Sequence, residues 1–167
     1  MIKKVWTRLK GMQPGPLVRL LFLLLFHPFR IQPTLRSSKE TMALCDRLYG
    51  STHHLTNKAN AFRHAYWNYK MAKNCQKTIK NGKKAAKWAQ KVTDLYEDVS
   101  INKPLERAMD LHNNKVGIAV FLDRMEQKEA EIVQLLTEMA QKAIKIDQIE
   151  ILARYPNEMV YLIDDPA

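Results

Sequence analysis

Cysteine, glycine and proline are all scarce in this chain. It contains two cysteines, five glycines and seven prolines in 167 residues. Cys45 and Cys75 form no CxxC motif and no zinc-ligand spacing, which argues against a disulfide framework and a zinc finger. The prolines lie near segment ends, so the composition favours a mostly helical protein. We therefore predict an all-α, reduced, cytoplasmic protein.

Acidic residues are absent from long parts of the sequence. Residues 1–36 contain seven Lys or Arg and no acid, and no acid occurs between Asp46 and Asp94. Residues 123–167 are the reverse, with five bases and ten acids, although the formal net charge is +10. Anionic partners are therefore expected to meet the first two thirds of the chain.

No apolar run is long enough to cross a bilayer. Leu20–Phe26 is the longest near the N-terminus, far short of the roughly 20 residues that a spanning helix needs. Three interpretations remain: a membrane-interface anchor, a signal sequence without a small-x-small cleavage site, and a first core helix. We favour the anchor, with residues 1–36 as a basic apolar segment and residues 37–167 as a helical domain. The protein is then expected to be cytoplasmic and peripheral at the inner membrane.

The periodicity of the remaining sequence predicts a single helical bundle of five or six helices. Ile31–Arg36, which contains Pro33, is predicted to be an extended connection. Ser37–Glu40 resembles a capping box that starts a helix ending at Tyr49, before Gly50. Further helices are predicted over residues 57–80, 83–99, 104–125 and 126–146, and the tail 148–167 is predicted to contain a short helix and an extended piece.

Seven lysines recur at intervals of three and four, which predicts a basic stripe on a helical surface. We expect this stripe to lie opposite the inward face that carries Asn68 and Cys75. An ordinary solvated face, an anionic membrane surface and nucleic acid each explain it. Nucleic acid is the least favoured, because interleaved aromatics and arginines are missing. We expect an anionic membrane as the partner and leave the oligomeric state open. The stripe consists of Lys70, Lys73, Lys77, Lys80, Lys84, Lys87 and Lys91.

Two predicted helices carry polar pairs on faces that should otherwise be buried. His64 and Asn68 lie four residues apart among small apolar residues, and Asp110 and Asn114 have the same spacing. Residues four apart share a helix face. Burying a polar group without a partner costs about 1–3 kcal/mol, so the four side chains should find partners. We predict that they converge between two packed helices.

The four residues also have chemistry suited to catalysis. His64 is the predicted general base or nucleophile, because imidazole titrates near neutrality. Asp110 is predicted to orient the ring, and Asn68 and Asn114 to stabilise a developing oxyanion. A buried structural network and a site for a hard cation are the alternatives.

Other residues, at the edges of these faces or beside the apolar face of the helix predicted over residues 83–99, are predicted to bind substrate. Arg63 is suited to an anionic group, and Asn60, Asn113 and Glu97 are assigned to the same role. We predict no metal ligand and no cofactor. The sequence contains no GxSxG motif, P-loop or HExxH motif.

The two polar helices resemble a bacterial family of uncharacterised helical domains. The resemblance rests on Asn60-Ala-Phe-Arg-His-Ala-Tyr-Trp-Asn68 and Met109-Asp-Leu-His-Asn-Asn-Lys-Val-Gly117. Members of this family often have His-Glu where this chain has Tyr96 and Glu97, and this departure argues against a metal site. The resemblance supports the location of the site and implies no particular reaction.

We therefore expect a membrane-associated hydrolase that acts on a phosphoester or lipid. The alternative is a non-catalytic helical module that binds a membrane or a partner and has a structural polar core. An enzyme needs an open pocket that reaches His64, whereas a structural network should be sealed.

Overall fold

A computed structural model describes residues 14–100 and 102–165 of the chain. The basic start of the predicted anchor, residues 1–13, lies outside the described residues. Six α-helices follow one another in the described part. They are α1 (Pro14–Leu25), α2 (Pro28–Tyr49), α3 (Lys58–Ile79), α4 (Gly82–Val99), α5 (Pro104–Asp123) and α6 (Glu129–Gln141). The predicted all-α bundle is therefore confirmed.

The tail contains the short helix and the extended piece that the sequence predicts. A 3₁₀ turn covers Ile149–Arg154, and strands β1 (Ile144–Lys145) and β2 (Val160–Tyr161) pair in parallel. A second 3₁₀ turn, Thr52–His54, precedes α3. The main-chain carbonyl of Thr56 accepts hydrogen bonds from the amides of Leu162 and Ile163, which ties the tail to the start of α3.

Helix α3 is the centre of the bundle and packs against α2, α4, α5 and α6. Small residues such as Ala61, Ala65 and Ala72 are fully buried, so neighbouring helices approach it from several sides. Residues next to its two ends determine where α3 begins and ends. The side chain of Asn57 accepts a hydrogen bond from the amide of Asn60, and Lys80 ends the helix with a positive φ of 52°.

The predicted extended connection at Ile31–Arg36 is wrong, because α2 runs through it without a break. Pro33 lies near the N-terminus of α2 and has no amide hydrogen, so the carbonyl of Phe29 lacks its usual helical hydrogen bond. Phe29 is highly exposed. Water can therefore satisfy that carbonyl. Ser37 does not cap a helix either, since its hydroxyl donates to the carbonyl of Pro33 inside α2.

The predicted basic stripe is wrong at its first residue. Lys70 is 7% exposed, and its Nζ lies 2.5 Å from Glu129 Oε1 and 3.3 Å from Glu40 Oε2. The side chain joins α3 to α2 and α6 and does not face solvent. Lys73, the second residue of the stripe, is half-buried, and its Nζ donates to the main-chain carbonyl of Met125. The remaining five residues of the stripe are exposed, as is Lys83; the five are Lys77, Lys80, Lys84, Lys87 and Lys91.

Helix α1 lies against α4 and leaves an apolar face uncovered. Only Leu23 of α1 is buried. Leu25 at its end, Phe26 in the following turn and Phe29 at the start of α2 are 69%, 77% and 83% exposed. Among the described helices none is by itself both long and apolar enough to cross a membrane. The pair α1 and α2 meets that test only together, and it is bent by 117° at the junction.

Candidate active site

The polar site lies where α3 and α5 approach most closely. Gly117 of α5 faces the main chain of Ala65 in α3, and a Cβ atom at this position would lie 2.0 Å from the Ala65 carbonyl oxygen. Only glycine fits such an approach between two helix backbones. This contact brings the polar faces of both helices together, because Gly117 lies three residues after Asn114 and Ala65 follows His64 directly.

The predicted convergence of the two polar pairs is confirmed. The Nδ1 atom of His64 lies 3.1 Å from Asn114 Oδ1, and Nε2 lies 3.3 Å from Asp110 Oδ1. All of these side chains are buried. Since the amide oxygen of Asn114 can only accept, we assign the ring proton to Nδ1 and a lone pair to Nε2. That lone pair accepts from Arg63 Nη2 at 2.8 Å.

Asn68 and Asn114 lie behind the His64 ring. Asn68 Nδ2 donates to Asn114 Oδ1 at 2.7 Å and to the main-chain carbonyl of His64 at 3.1 Å. Its Oδ1 accepts from the hydroxyl of Thr93 at 2.9 Å. Both asparagines have no exposed surface, so they hold the ring in place and do not face a pocket.

Glu97 completes a compact cluster with His64 and Asp110. Its Oε1 lies 3.7 Å from His64 Nδ1. Asn102 Nδ2 donates to Glu97 Oε2 at 3.3 Å and to Asp110 Oδ2 at 3.4 Å, so it bridges the two carboxyl groups. Glu97 Oε1 and Asp110 Oδ1 are both buried and have no hydrogen-bond partner among the described residues.

Burial controls the electrostatics of this cluster. Burial, and then the charge of Asp110, raise the pKa of Glu97 well above its ordinary value. Burial also raises the pKa of Asp110, against the opposing effect of the Arg63 guanidinium. Burial, and to a smaller extent the positive charge of Arg63, lower the pKa of His64, so the imidazole is neutral at neutral pH.

Two neighbouring spaces reach the cluster from solvent. A cleft of about 270 Å³ extends from His64 and Arg63 between α2 and the aromatic rings of Trp67 and Tyr96. A second cavity, of about 190 Å³, is lined by Glu97, Asp110 and Asn60 among others. His54, Arg63, His64 and Tyr96 line both spaces. The polar cluster is therefore accessible and not sealed.

One protein family matches most of the chain. It is a domain of unknown function, DUF6973, and the match covers residues 21–144. The chain belongs to this family. The DUF6973 region includes both polar helices and the whole cluster, and the match agrees with the predicted membership of an uncharacterised helical family. No curated protein and no solved structure matches the chain.

Three of the four predicted substrate-binding residues of the DUF6973 domain line the second cavity; they are Asn60, Arg63 and Glu97. Asn113 lies elsewhere. Its Nδ2 donates to the carbonyl of Val160 at 2.9 Å, and its Oδ1 accepts from the Val160 amide at 3.0 Å. This side chain fixes β2 to α5 and lines neither of the two spaces.

Sequence reasoning missed two residues that hydrogen-bond to the polar site of the DUF6973 domain; they are Thr93 and Asn102. Thr93 and Glu97 lie four residues apart on the buried face of α4, the same spacing that identified the other polar pairs. That spacing was a usable signal. Asn102 lies in the connection between α4 and α5, where no helical periodicity marks it, and only the fold places it between the two carboxyl groups.

Proposed function

We propose that the protein is a hydrolase that acts on an anionic ester of the phosphoester class, either in a lipid or in a soluble compound. The observation that supports this proposal is an open cleft that reaches a buried His, Asp and Glu cluster. A purely structural network has no need of access from solvent. A cleft with a few converging polar groups is typical of a binding or active site.

Each side chain has a definite role in this proposal. Arg63 is half-buried at the junction of the two spaces and binds the anionic group of the substrate. Asp110 accepts the proton of the attacking water, since its raised pKa matches that task better than the lowered pKa of His64. This proposal therefore assigns the role of general base to Asp110, whereas the sequence predicted His64 for it. Asn68 and Asn114 act as positioning residues for the ring.

The variant Asp110→Asn tests the proposed hydrolysis. The amide keeps the size of the side chain but cannot accept a proton from water, so we expect the rate to fall by roughly 100-fold or more. The measurement is release of nitrophenol from bis(p-nitrophenyl) phosphate, together with hydrolysis of a fluorogenic phospholipid in mixed vesicles. Asp123→Asn, an exposed position on the same helix, is the matched control and should leave the rate unchanged.

Two outcomes would contradict this function. One is the absence of hydrolysis of both substrates by the unaltered protein in the presence of divalent cations. The other is an unchanged rate in Asp110→Asn with an intact circular dichroism spectrum. Either would favour the alternative of a non-catalytic helical module whose polar core is structural.

We also propose that the protein attaches peripherally to an anionic membrane, at the cytoplasmic face of the inner membrane. The uncovered apolar residues around the junction of α1 and α2 support this. Cations accompany them, because Arg19 is exposed on α1 and exposed lysines project from α4, which packs against α1. Apolar side chains surrounded by cations are suited to an anionic lipid interface.

A triple serine variant at Leu25, Phe26 and Phe29 tests the attachment. If each exposed side chain contributes about 1 kcal/mol on entering the interface, binding should weaken roughly 100-fold. The measurement is co-sedimentation with vesicles of phosphatidylglycerol and phosphatidylcholine at several salt concentrations. Serine at the exposed Leu48, Leu122 and Ile163 is the matched control.

High salt should release part of the unaltered protein, because salt screens the attraction between the cations and the anionic lipids. The same loss of binding in the control variant would show that the effect is not specific to this face. Binding of the test variant that equals that of the unaltered protein would exclude the proposed attachment surface.

A further inference from the structure

We propose that His64, Glu97 and Asp110 form a binding site for a divalent transition-metal ion such as Mn²⁺ or Zn²⁺. This inference does not depend on the proposed hydrolysis, because it concerns only binding of the ion. It also reverses the expectation from sequence that the chain has no metal ligand. Glu97 is the reason, since the structure adds its carboxylate to the inward-facing His64 and Asp110.

The spacing of the three side chains suits a single ion. Metal–ligand distances of about 2.1 Å place neighbouring ligand atoms about 3.0–3.5 Å apart in octahedral or tetrahedral geometry. His64 Nε2 and Asp110 Oδ1 are 3.3 Å apart, and one ligand atom from each of the three residues lies within 4.8 Å of the others. Small side-chain rotations would therefore complete the coordination.

Unpartnered oxygen atoms are the independent sign of a ligand. Glu97 is 1% exposed and Asp110 is 6% exposed, yet Glu97 Oε1 and Asp110 Oδ1 accept no hydrogen bond from the described residues. In that part of the chain, His64 is the only basic residue that pairs with either carboxyl group within 4.0 Å. Buried carboxylates need a positive charge or a donor, and a bound cation supplies the charge to both.

Arg63 competes with the ion for one ligand. Its Nη2 lies 2.8 Å from His64 Nε2, the nitrogen that faces Asp110. An ion bound to Nε2 takes the place of this hydrogen bond, and the guanidinium turns towards the cleft that it also lines. Removal of the guanidinium should therefore strengthen binding of the ion, whereas removal of either carboxylate should weaken it.

The donor set selects the class of ion. One imidazole nitrogen with two carboxylates suits first-row transition ions, whereas Mg²⁺ and Ca²⁺ favour oxygen ligands alone. The cavity of about 190 Å³ leaves space for water ligands, and the unpartnered amide oxygen of Asn60 belongs to a residue that lines the same cavity. Three protein ligands with open positions are typical of catalytic sites and not of closed structural ones.

Titration of the full-length protein with Mn²⁺ alone tests this site. The protein is first stripped with a chelator, and free Mn²⁺ is followed by electron paramagnetic resonance, with Zn²⁺ as a competitor. We expect one ion per chain at this site and at least about a tenfold loss of affinity in both Glu97→Gln and Asp110→Asn. Arg63→Gln should bind the ion more tightly than the unaltered protein.

A second group of potential ligands provides the matched control. Asp46, His53 and His54 also bring ligand atoms within 4.8 Å of one another, but Asp46 is exposed. Asp46→Asn should leave the affinity unchanged, and circular dichroism shows that each variant is folded. Absence of binding at millimolar Mn²⁺ and Zn²⁺ would overturn the proposal. Unchanged affinity in folded Glu97→Gln and Asp110→Asn would do the same.

The titration contains no substrate, so its result is separate from the test of hydrolysis. Specific binding of the ion by a protein that hydrolyses neither ester would overturn the proposed reaction and leave the metal site intact. Hydrolysis without binding of an ion would overturn only the metal site.

Discussion

Replacing Gly117 with alanine should destabilise the protein by more than about 4 kcal/mol. The new Cβ would lie 2.0 Å from the carbonyl oxygen of Ala65 and 2.6 Å from its carbonyl carbon, both main-chain atoms of a buried helix. Main-chain atoms cannot rotate away, so α3 and α5 would have to separate and lose buried apolar contacts. A total stability of 5–15 kcal/mol is usual for a domain, so this loss removes much of it.

The sign of the change in unfolding free energy shows whether packing or helix propensity dominates at Gly117. Alanine is a better helix former than glycine by about 1 kcal/mol, so propensity alone predicts a gain. Urea unfolding followed by circular dichroism measures the sign. Gly82→Ala is the control, because the added Cβ would meet the side chain of Met125, which can rotate, and the change should be small. A Gly117→Ala protein as stable as the unaltered one would refute the close approach of α3 and α5.

Asn68→Ala should cost about 2–4 kcal/mol of stability. The side chain is fully buried and makes hydrogen bonds to Asn114, to the carbonyl of His64 and to Thr93. Alanine removes all of these buried hydrogen bonds at once, although Thr93 and Asn114 each keep another partner. For a chain of this length the melting temperature should fall by roughly 5–15 °C.

Asn74→Ala, on the same helix, is the matched comparison for this prediction. Asn74 is half-buried, and its partners Ser37 and Glu40 have other hydrogen bonds, so its loss should cost about 1 kcal/mol or less. Equal melting temperatures for the two variants would contradict a central role for Asn68. The two asparagines differ in the number of buried partners and not in the residue type or the helix that carries them.

The polar pairs were predictable because helical spacing is a local property. His64 with Asn68, and Asp110 with Asn114, each appear within one turn of sequence, and the cost of burying them argues for mutual contact. Glu97 was placed only loosely, at the edge of its helix. Its position beside His64 depends on how α4 packs against α3 and α5, which no local pattern encodes.

Two errors in the predicted fold came from applying general residue preferences. Pro33 was interpreted as a break because proline removes a helical hydrogen bond, but the carbonyl left unpaired lies at the solvent-exposed start of α2. Lys70 was assigned to a solvated stripe because lysine is usually exposed, but Glu40 and Glu129 meet it from two other helices. For Pro33 the general preference was outweighed by its position near the exposed start of the helix, and for Lys70 by two contacts distant in sequence.

The position of Arg63 has a kinetic consequence. The guanidinium lies between the outer cleft and the inner cavity, with Nη1 3.4 Å from His54 Nδ1 and Nη2 2.8 Å from His64 Nε2. Arg63 is one of four residues that line both spaces, so rotation of its side chain alters the passage between them without any helix movement. Such rotations in part-exposed side chains take picoseconds to nanoseconds. Exchange of small molecules between the two spaces should therefore be much faster than a typical enzymatic turnover of about 10 per second.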